Sequence, residues 1–203
     1  MAADRGARVA GFDAAEALLD IARERTPEGD FRQADLEDIP FADNAFEVVT
    51  GFNSFQFAAD PVCALSEARR VARPGGLVAI MTWGNPEGMQ AAAIVGALRP
   101  LLPPPPPGAP GPFALSDPSR LREFAHSAGL TAEEIVDVDS PWRYPDESTA
   151  LDGIGSSGVA ARAAGLAGRA AVDAAHRAAL APFRQTDGSY LIGASCRFLV
   201  ARA

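Results

Sequence analysis

The sequence predicts an α/β domain built on a parallel sheet. Short apolar runs of strand length alternate with amphipathic helical stretches from the start of the chain to Trp83. An acid follows directly on two of those runs, Asp13 after Val9-Ala10-Gly11-Phe12 and Asp35 after the run that opens at Phe31. The run from Leu77 to Thr82 is apolar without alternation, as expected of a strand covered by helices on both faces.

Composition narrows the class. The chain has 203 residues, enough for one large domain or a domain with an appendage, and a hydrophobic share of 48%, which is globular. Its net charge of −8 argues against nucleic acid as a partner, because phosphate binding needs a basic surface. Every basic residue is Arg, which together with abundant Ala, Gly and Pro reads as genomic bias. Cys63 and Cys196 lie far apart with no metal-ligand spacing around them, so both read as free buried thiols in a reducing compartment. The first residues lack the apolar stretch of a signal peptide and no run approaches membrane-spanning length. A soluble cytoplasmic protein with no membrane partner is expected.

Taken in order, Ala2 to Ala7 resembles the tail of a helix, followed by a strand from Arg8 to Phe12. Asp13 then caps a helix with Glu16 three places on and an apolar stripe of Leu18, Leu19, Ile21 and Ala22, and Gly29 stops it. A strand from Phe31 ends at Asp35. A polar link closed by Ile39-Pro40-Phe41 and a turn at Ala42-Asp43-Asn44 lead to a buried strand, Phe46 to Thr50. Asp60-Pro61 is a helix start, with Val62, Leu65, Ala68 and Ala72 on one face and Pro74-Gly75-Gly76 as the stop. Beyond Trp83 a helix is predicted from Gly88 to Leu102, then a polyproline spacer at Pro103 to Pro107 of roughly 15 Å. A further helix starts at Ser116-Asp117-Pro118 and presents Leu121, Phe124, Ala125 and Ala128 inward. Strands at 132–144 and 189–201 flank an Ala-rich, Gly-broken helical region. Residues 1–84 read as a ligand-binding part, 85–118 as a lid and linker that sets substrate choice, and 119–203 as the remainder of the same domain.

Two carboxylates at successive strand ends make a pair of acceptors aimed at one crevice of an open α/β sheet. Asp13 can be a helix cap, a ligand, or both; Asp35, with no evident capping role, reads as a ligand. Glu37, Asp38 and Asp43 read as solvated loop acids. Asn53, Phe55 and Phe57 fall near the same sheet edge. His126 belongs on the polar side of its helix, His176 faces solvent, Trp83 lines a pocket, and Trp142 and Tyr144 pack. No catalytic residue and no metal cluster can be picked out.

Four of these segments, Val9–Asp13, Ala34–Phe41, Phe46–Val49 and Arg70–Leu77, resemble in order and spacing the motifs of class I S-adenosylmethionine-dependent methyltransferases. The small-molecule, type 11-like branch is the most similar, and the resemblance covers residues 7 to 84. It implies a Rossmann-like, seven-stranded sheet whose last strand runs antiparallel, and methyl transfer from S-adenosylmethionine to a small-molecule nucleophile by positioning, without a metal. Carried over residue by residue, it implies that Asp13 takes the ribose hydroxyls with Ala14 beside it. It also implies that Asp35 accepts from the adenine amino group, Ala34 and Leu36 flank the adenine, and Phe52 and Asn53 meet the methionine end. A carboxylate with two oxygens suits a diol with two donors.

One departure matters. The family's first strand and glycine-rich turn would lie before Ala2 and are missing, so the expected fold is N-terminally truncated. That strand would sit mid-sheet between 9–12 and 46–50. Four or five buried aliphatic residues at about 1.5–3 kcal/mol each represent on the order of 6–15 kcal/mol, against a domain stability of about 5–15 kcal/mol. Activity of the chain as given is therefore expected to be impaired. Two other readings stay open: a non-catalytic or partner-completed half-domain, with homo-oligomerisation as one form of completion, and an NAD(P)-dependent oxidoreductase, which also places an acid on a ribose.

Overall fold

The computed structural model describes residues 2–106 and 111–203. In chain order the regular elements are β1 (Ala10–Asp13), α1 (Glu16–Arg25), β2 (Asp30–Gln33), β3 (Phe46–Phe52), α2 (Pro61–Val71), β4 (Ala72–Trp83) and α3 (Gln90–Gly96). They continue with α4 (Pro118–Ser127), β5 (Thr131–Asp139), β6 (Trp142–Tyr144), α5 (Glu147–Gly155), α6 (Gly158–Ala167), α7 (Arg169–Leu180), β7 (Tyr190–Ile192) and β8 (Ser195–Arg202). The chain forms two compact units. The first takes the chain up to Met81 with Pro118–Ile135 and Phe198–Ala203, and the second takes Thr82–Asp117 and Val136–Arg197.

The parallel pairings are as the sequence predicts, but the seven-stranded sheet is corrected: the described strands fall into a pair, a four-stranded sheet and a second pair. β1 pairs in parallel with β2, Asp13 opposite Gln33, and β3 pairs in parallel with β4. The strand order β3-β4-β8-β5 forms a four-stranded sheet, while β1 and β2 form a separate pair. Gly75 donates to Ala203 O and Gly84 to Ser195 O, so β8 runs against β4 and the last strand is antiparallel. α2 starts as its sequence dictates: Asp60 accepts from the N–H groups of Val62 and Cys63, both at 3.0 Å, with Pro61 in the first turn. Its buried face is Ala64, Leu65, Ala68 and Val71, and Val78 and Ile80 of β4 are buried as well. Leu121, Phe124, Ala125 and Ala128 are buried as their helical spacing predicts.

The second unit holds α3, the three helices α5 to α7 and the antiparallel pair β6–β7. Asp146 and Ser157 cap α5 and α6 by accepting from Thr149 and Ala160. Ile94, Leu151, Ile154, Leu180 and Ile192 form one apolar cluster there, and Leu98, Ala160, Ala163 and Val172 form another.

Several expectations are corrected. Residues before β1 form a short 3-10 turn, Ala3–Arg5, closed by Gly6 in the left-handed region. On α1 only Leu19 is buried; Leu18 and Ile21 remain exposed because no described element covers that side of the helix. Pro74-Gly75-Gly76 does not stop α2, which ends at Val71; the three residues lie within β4. The helix expected from Gly88 is shorter, α3 followed by a 3-10 turn at Arg99–Leu101. Cys63 is exposed, its position three residues past the cap turning it outward, whereas Cys196 is buried. His176 is 3% exposed rather than facing solvent, since α7 lies among α5, α6 and α3. Of the polyproline run, Pro107 lies outside the described residues.

Candidate functional site

The local geometry of each strand end follows from short-range hydrogen bonds. Asp13, last in β1, accepts through Oδ1 from the Ala15 N–H at 2.8 Å and so holds the turn into α1. It acts one turn before the formal helix start at Glu16 rather than as the cap itself. The Gln33 amide donates to Ala14 O at 3.0 Å, and Ala34 N–H donates to Asp13 O, tying this turn to the end of β2. Asp35 accepts through Oδ1 from the Glu37 N–H at 2.9 Å, so it does have a local turn-holding role. Each carboxylate thus spends one oxygen on nearby main chain and keeps a second as acceptor. Asn53 adopts a left-handed backbone with φ of 49°, donates its N–H to Met81 O, and accepts through Oδ1 from the buried Gln56 amide at 3.1 Å.

These ends surround one cavity of about 720 Å3 within the first unit. Asp13, Ala14, Ala34, Asp35, Leu36, Phe52 and Asn53, the residues singled out in the sequence, all line it. Phe12, Ile39, Phe41 and Phe55 add apolar wall. Phe57 also lines it but is exposed. His126 is exposed and does not line the cavity. The hydroxyl Oγ of Ser54, on the cavity wall, is buried without a hydrogen-bond partner among the described residues, a polar atom that a ligand could satisfy.

Sequence reasoning missed the groups that hold the cavity wall. Arg70 on α2 grips Glu67 through two bonds of 2.6 Å and donates to Ile39 O and Phe41 O, both at 2.9 Å, and to Asp43 at 2.7 Å. Glu67 also accepts from the Ile39 N–H at 3.1 Å. The guanidinium, and then that N–H, hold the Glu67 carboxyl below its usual range against the opposing effect of burial, while Glu67 and Asp43 raise Arg70. Asp43 is solvated as expected, 69% exposed, and is also an ion-pair partner of Arg70. Glu37 likewise has a structural role, accepting from the Asp60 N–H at 2.8 Å. The bonds from Arg70 to this loop join residues 27 to 31 positions apart, and no local pattern reports them. The one available signal was that Arg70 opens the Arg70–Leu77 motif.

The methyltransferase domain family matches residues 1–80. The match covers 80 of the 203 residues, and solved structures share the fold over nearly the whole chain. The chain is 34% identical over 84 residues to a demethylmenaquinone methyltransferase of Renibacterium salmoninarum, covering 41% of this chain and 35% of that protein. It is 35% identical over 79 residues to a malonyl-[acyl-carrier protein] O-methyltransferase of Serratia marcescens, covering 39% and 31%. A ubiquinone biosynthesis O-methyltransferase of Stutzerimonas stutzeri matches at 33% over 141 residues, 66% of this chain and 60% of that one. The chain thus spans about a third of the length of the first curated relatives it matches. Among solved structures, a Bacillus halodurans C-125 protein whose name proposes a methyltransferase aligns over 97% of this chain and 83% of its own, with a TM-score of 0.58 at 16% identity. The [4+2]-cyclase SpnF aligns over 96% and 66% with a TM-score of 0.55 at 22% identity, so the fold also carries chemistry named otherwise.

Proposed function

We propose that the cavity at the ends of β1, β2 and β3 binds S-adenosylmethionine and that the chain is the cofactor-binding part of a methyltransferase acting on a small-molecule nucleophile. One observation carries this reading: Asp13 and Asp35, at the ends of adjacent parallel strands, line a single cavity with Leu36 and Asn53. The residues present fit the group. Asp13 has a free acceptor for a ribose diol, Asp35 one for an adenine amino group, Leu36 and Phe12 an apolar bed, and Asn53 and Ser54 polar atoms for an amino-acid end. The cofactor, held by Asp13, Asp35, Leu36 and Asn53, would supply an electrophilic methyl on a sulfonium with a thioether as the leaving group. The contribution of the chain is to bind and orient, and Arg70 serves it by fixing the loop that carries Ile39 and Phe41. The acceptor is proposed to be a small molecule, as the menaquinone and ubiquinone names of two relatives suggest, in a cytoplasmic setting. Among the described residues no helix is long and apolar enough to cross a membrane.

Affinity in the 203-residue chain is expected to be weak, because the cavity is open between β1 and β3. Ligand-observed NMR should detect S-adenosylhomocysteine but not NADH. Asp13→Asn and Asp35→Asn should each weaken it by about 10- to 100-fold, the equivalent of about 1.5–3 kcal/mol for charged hydrogen bonds. Binding of NADH in place of the homocysteine compound would turn the assignment to an oxidoreductase.

A further inference from the structure

β5 closes the order β3-β4-β8-β5, so its nine residues, Thr131–Asp139, have a hydrogen-bonded neighbour on one side only among the described residues. Successive residues of a strand turn their N–H and C=O groups to opposite edges. Ser140 N–H reaches Ala194 O on the β8 side, so Val136 and Val138 also turn theirs to β8, while Ile135, Asp137 and Asp139 present theirs at the open edge. Side chains alternate between the faces in the same way. Val136 and Val138 share one face and are 42% and 44% exposed. Asp137 and Asp139 share the other, where within the second unit they line a cavity of about 460 Å3 with Asn85 and Glu87. No basic residue is among the described lining of that cavity. Arg197 holds Asp137 through two bonds of 2.6 Å, and Asp139 has no ion pair among the described residues.

We propose that the open edge of β5 takes an extended strand of a partner protein in which basic residues alternate with apolar ones, paired antiparallel along Val136–Asp139. Only extended backbone meets a row of alternating donors and acceptors, since a helix satisfies its own groups. The alternation follows from the two faces of β5. Residues directly opposite share a face, so apolar side chains lie on Val136 and Val138, and basic ones lie on Asp137 and Asp139 beside the acid-lined cavity. A second copy of this chain does not qualify, because its own charges forbid it. Two β5 strands pairing antiparallel can set valine on valine in three registers. Val136 on Val136 puts Glu133 on Asp139, Val136 on Val138 puts Asp137 on Asp137, and Val138 on Val138 puts Asp137 on Asp139. Like charges directly opposite destabilise every one of these. The acids that bar a copy attract a basic strand, and the net charge of −8 steers it toward the chain.

The proposal stands apart from the cofactor reading and is tested without cofactor. A fluorescein-labelled nine-residue peptide of alternating Lys and Val is titrated into the full 203-residue chain at about 0.15 M salt, where distant charges are screened. Saturable anisotropy is expected, with amide exchange at Ile135, Asp137 and Asp139 slowed about tenfold or more. N-methylation of the Lys amides, which face β5 in the antiparallel pairing, should abolish binding, while N-methylation of the Val amides should leave it intact. Asp139→Lys should keep the circular dichroism spectrum and weaken peptide binding about tenfold or more. Glu24→Lys, the same change of net charge at an exposed residue of α1, should bind as the unaltered chain does. No saturable binding, equal binding by the two N-methylated peptides, or undiminished binding by Asp139→Lys would overturn the proposal. So would equal binding by a peptide of the same composition with its Lys and Val in two blocks, or protection confined to other amides. Dimerisation of the chain that competes with the peptide, seen by sedimentation, would overturn it in favour of a second copy.

Discussion

Replacing Arg70 by Met tests whether the cavity wall is held by one side chain. Met keeps the apolar stem and removes the guanidinium, so Ile39 O, Phe41 O and the Glu67 carboxylate lose their donor together. Hydrogen bonds to charged groups contribute about 1.5–3 kcal/mol each. The Asp43 bond counts for little, as that carboxylate is 69% exposed. Arg70 itself is 31% exposed, so water replaces part of what is lost, and about 2–4 kcal/mol of destabilisation is expected for the set. Urea unfolding followed by far-ultraviolet circular dichroism at pH 7 measures it. The pH dependence has a defined sign. Glu67 is held below its unfolded value of 4.5, so its share of the stability is complete above that pH and disappears as pH falls through the folded value. The gap between the unaltered chain and Arg70→Met should therefore narrow below about pH 4. A gap under about 0.5 kcal/mol at pH 7 would refute the network as the support of the wall, and an undiminished gap at pH 3 would take Glu67 out of it.

His176 is 3% exposed, its Nδ1 lacks a partner among the described residues, and burial lowers its pKa from 6.5. A neutral buried imidazole contributes stability that is complete above about pH 6.5 and is lost as pH falls through the lower folded value. Thermal unfolding between pH 7.5 and 5.5 should thus fall more steeply for the unaltered chain than for His176→Gln; parallel curves would show that the imidazole is not buried neutral. Gly51→Ala places a Cβ against the Phe55 ring, which is 2% exposed and cannot swing away. A loss of about 1–3 kcal/mol in urea unfolding is expected, and a neutral result would mean the ring is loosely packed.

Much of the fold was legible because the signals that specify it are local. Asp60-Pro61 names the start of α2, since a carboxylate one step before the helix accepts the first free N–H groups whatever the rest of the chain does. The helical spacing of Leu121, Phe124 and Ala125 fixed the inner face of α4 for the same kind of reason. The stripe on α1 misled because periodicity says which side chains share a face, not that a partner surface is present to cover it. His176 misled in the opposite sense: an Ala-rich helix buries whichever side its neighbours choose, and the sequence between Ala-rich helices gives no hint of that choice.

The sequence by itself determined most of the elements, the parallel sense of β1–β2 and β3–β4 and the residues at those strand ends, because propensity, capping and apolar period act over a few residues. Only the tertiary structure decided that Asp13, Asp35 and Asn53 border one cavity and that Arg70 reaches back to the carbonyls of Ile39 and Phe41. Those are contacts between groups far apart along the chain, and their geometry is set by how packed elements leave room, which no local rule encodes.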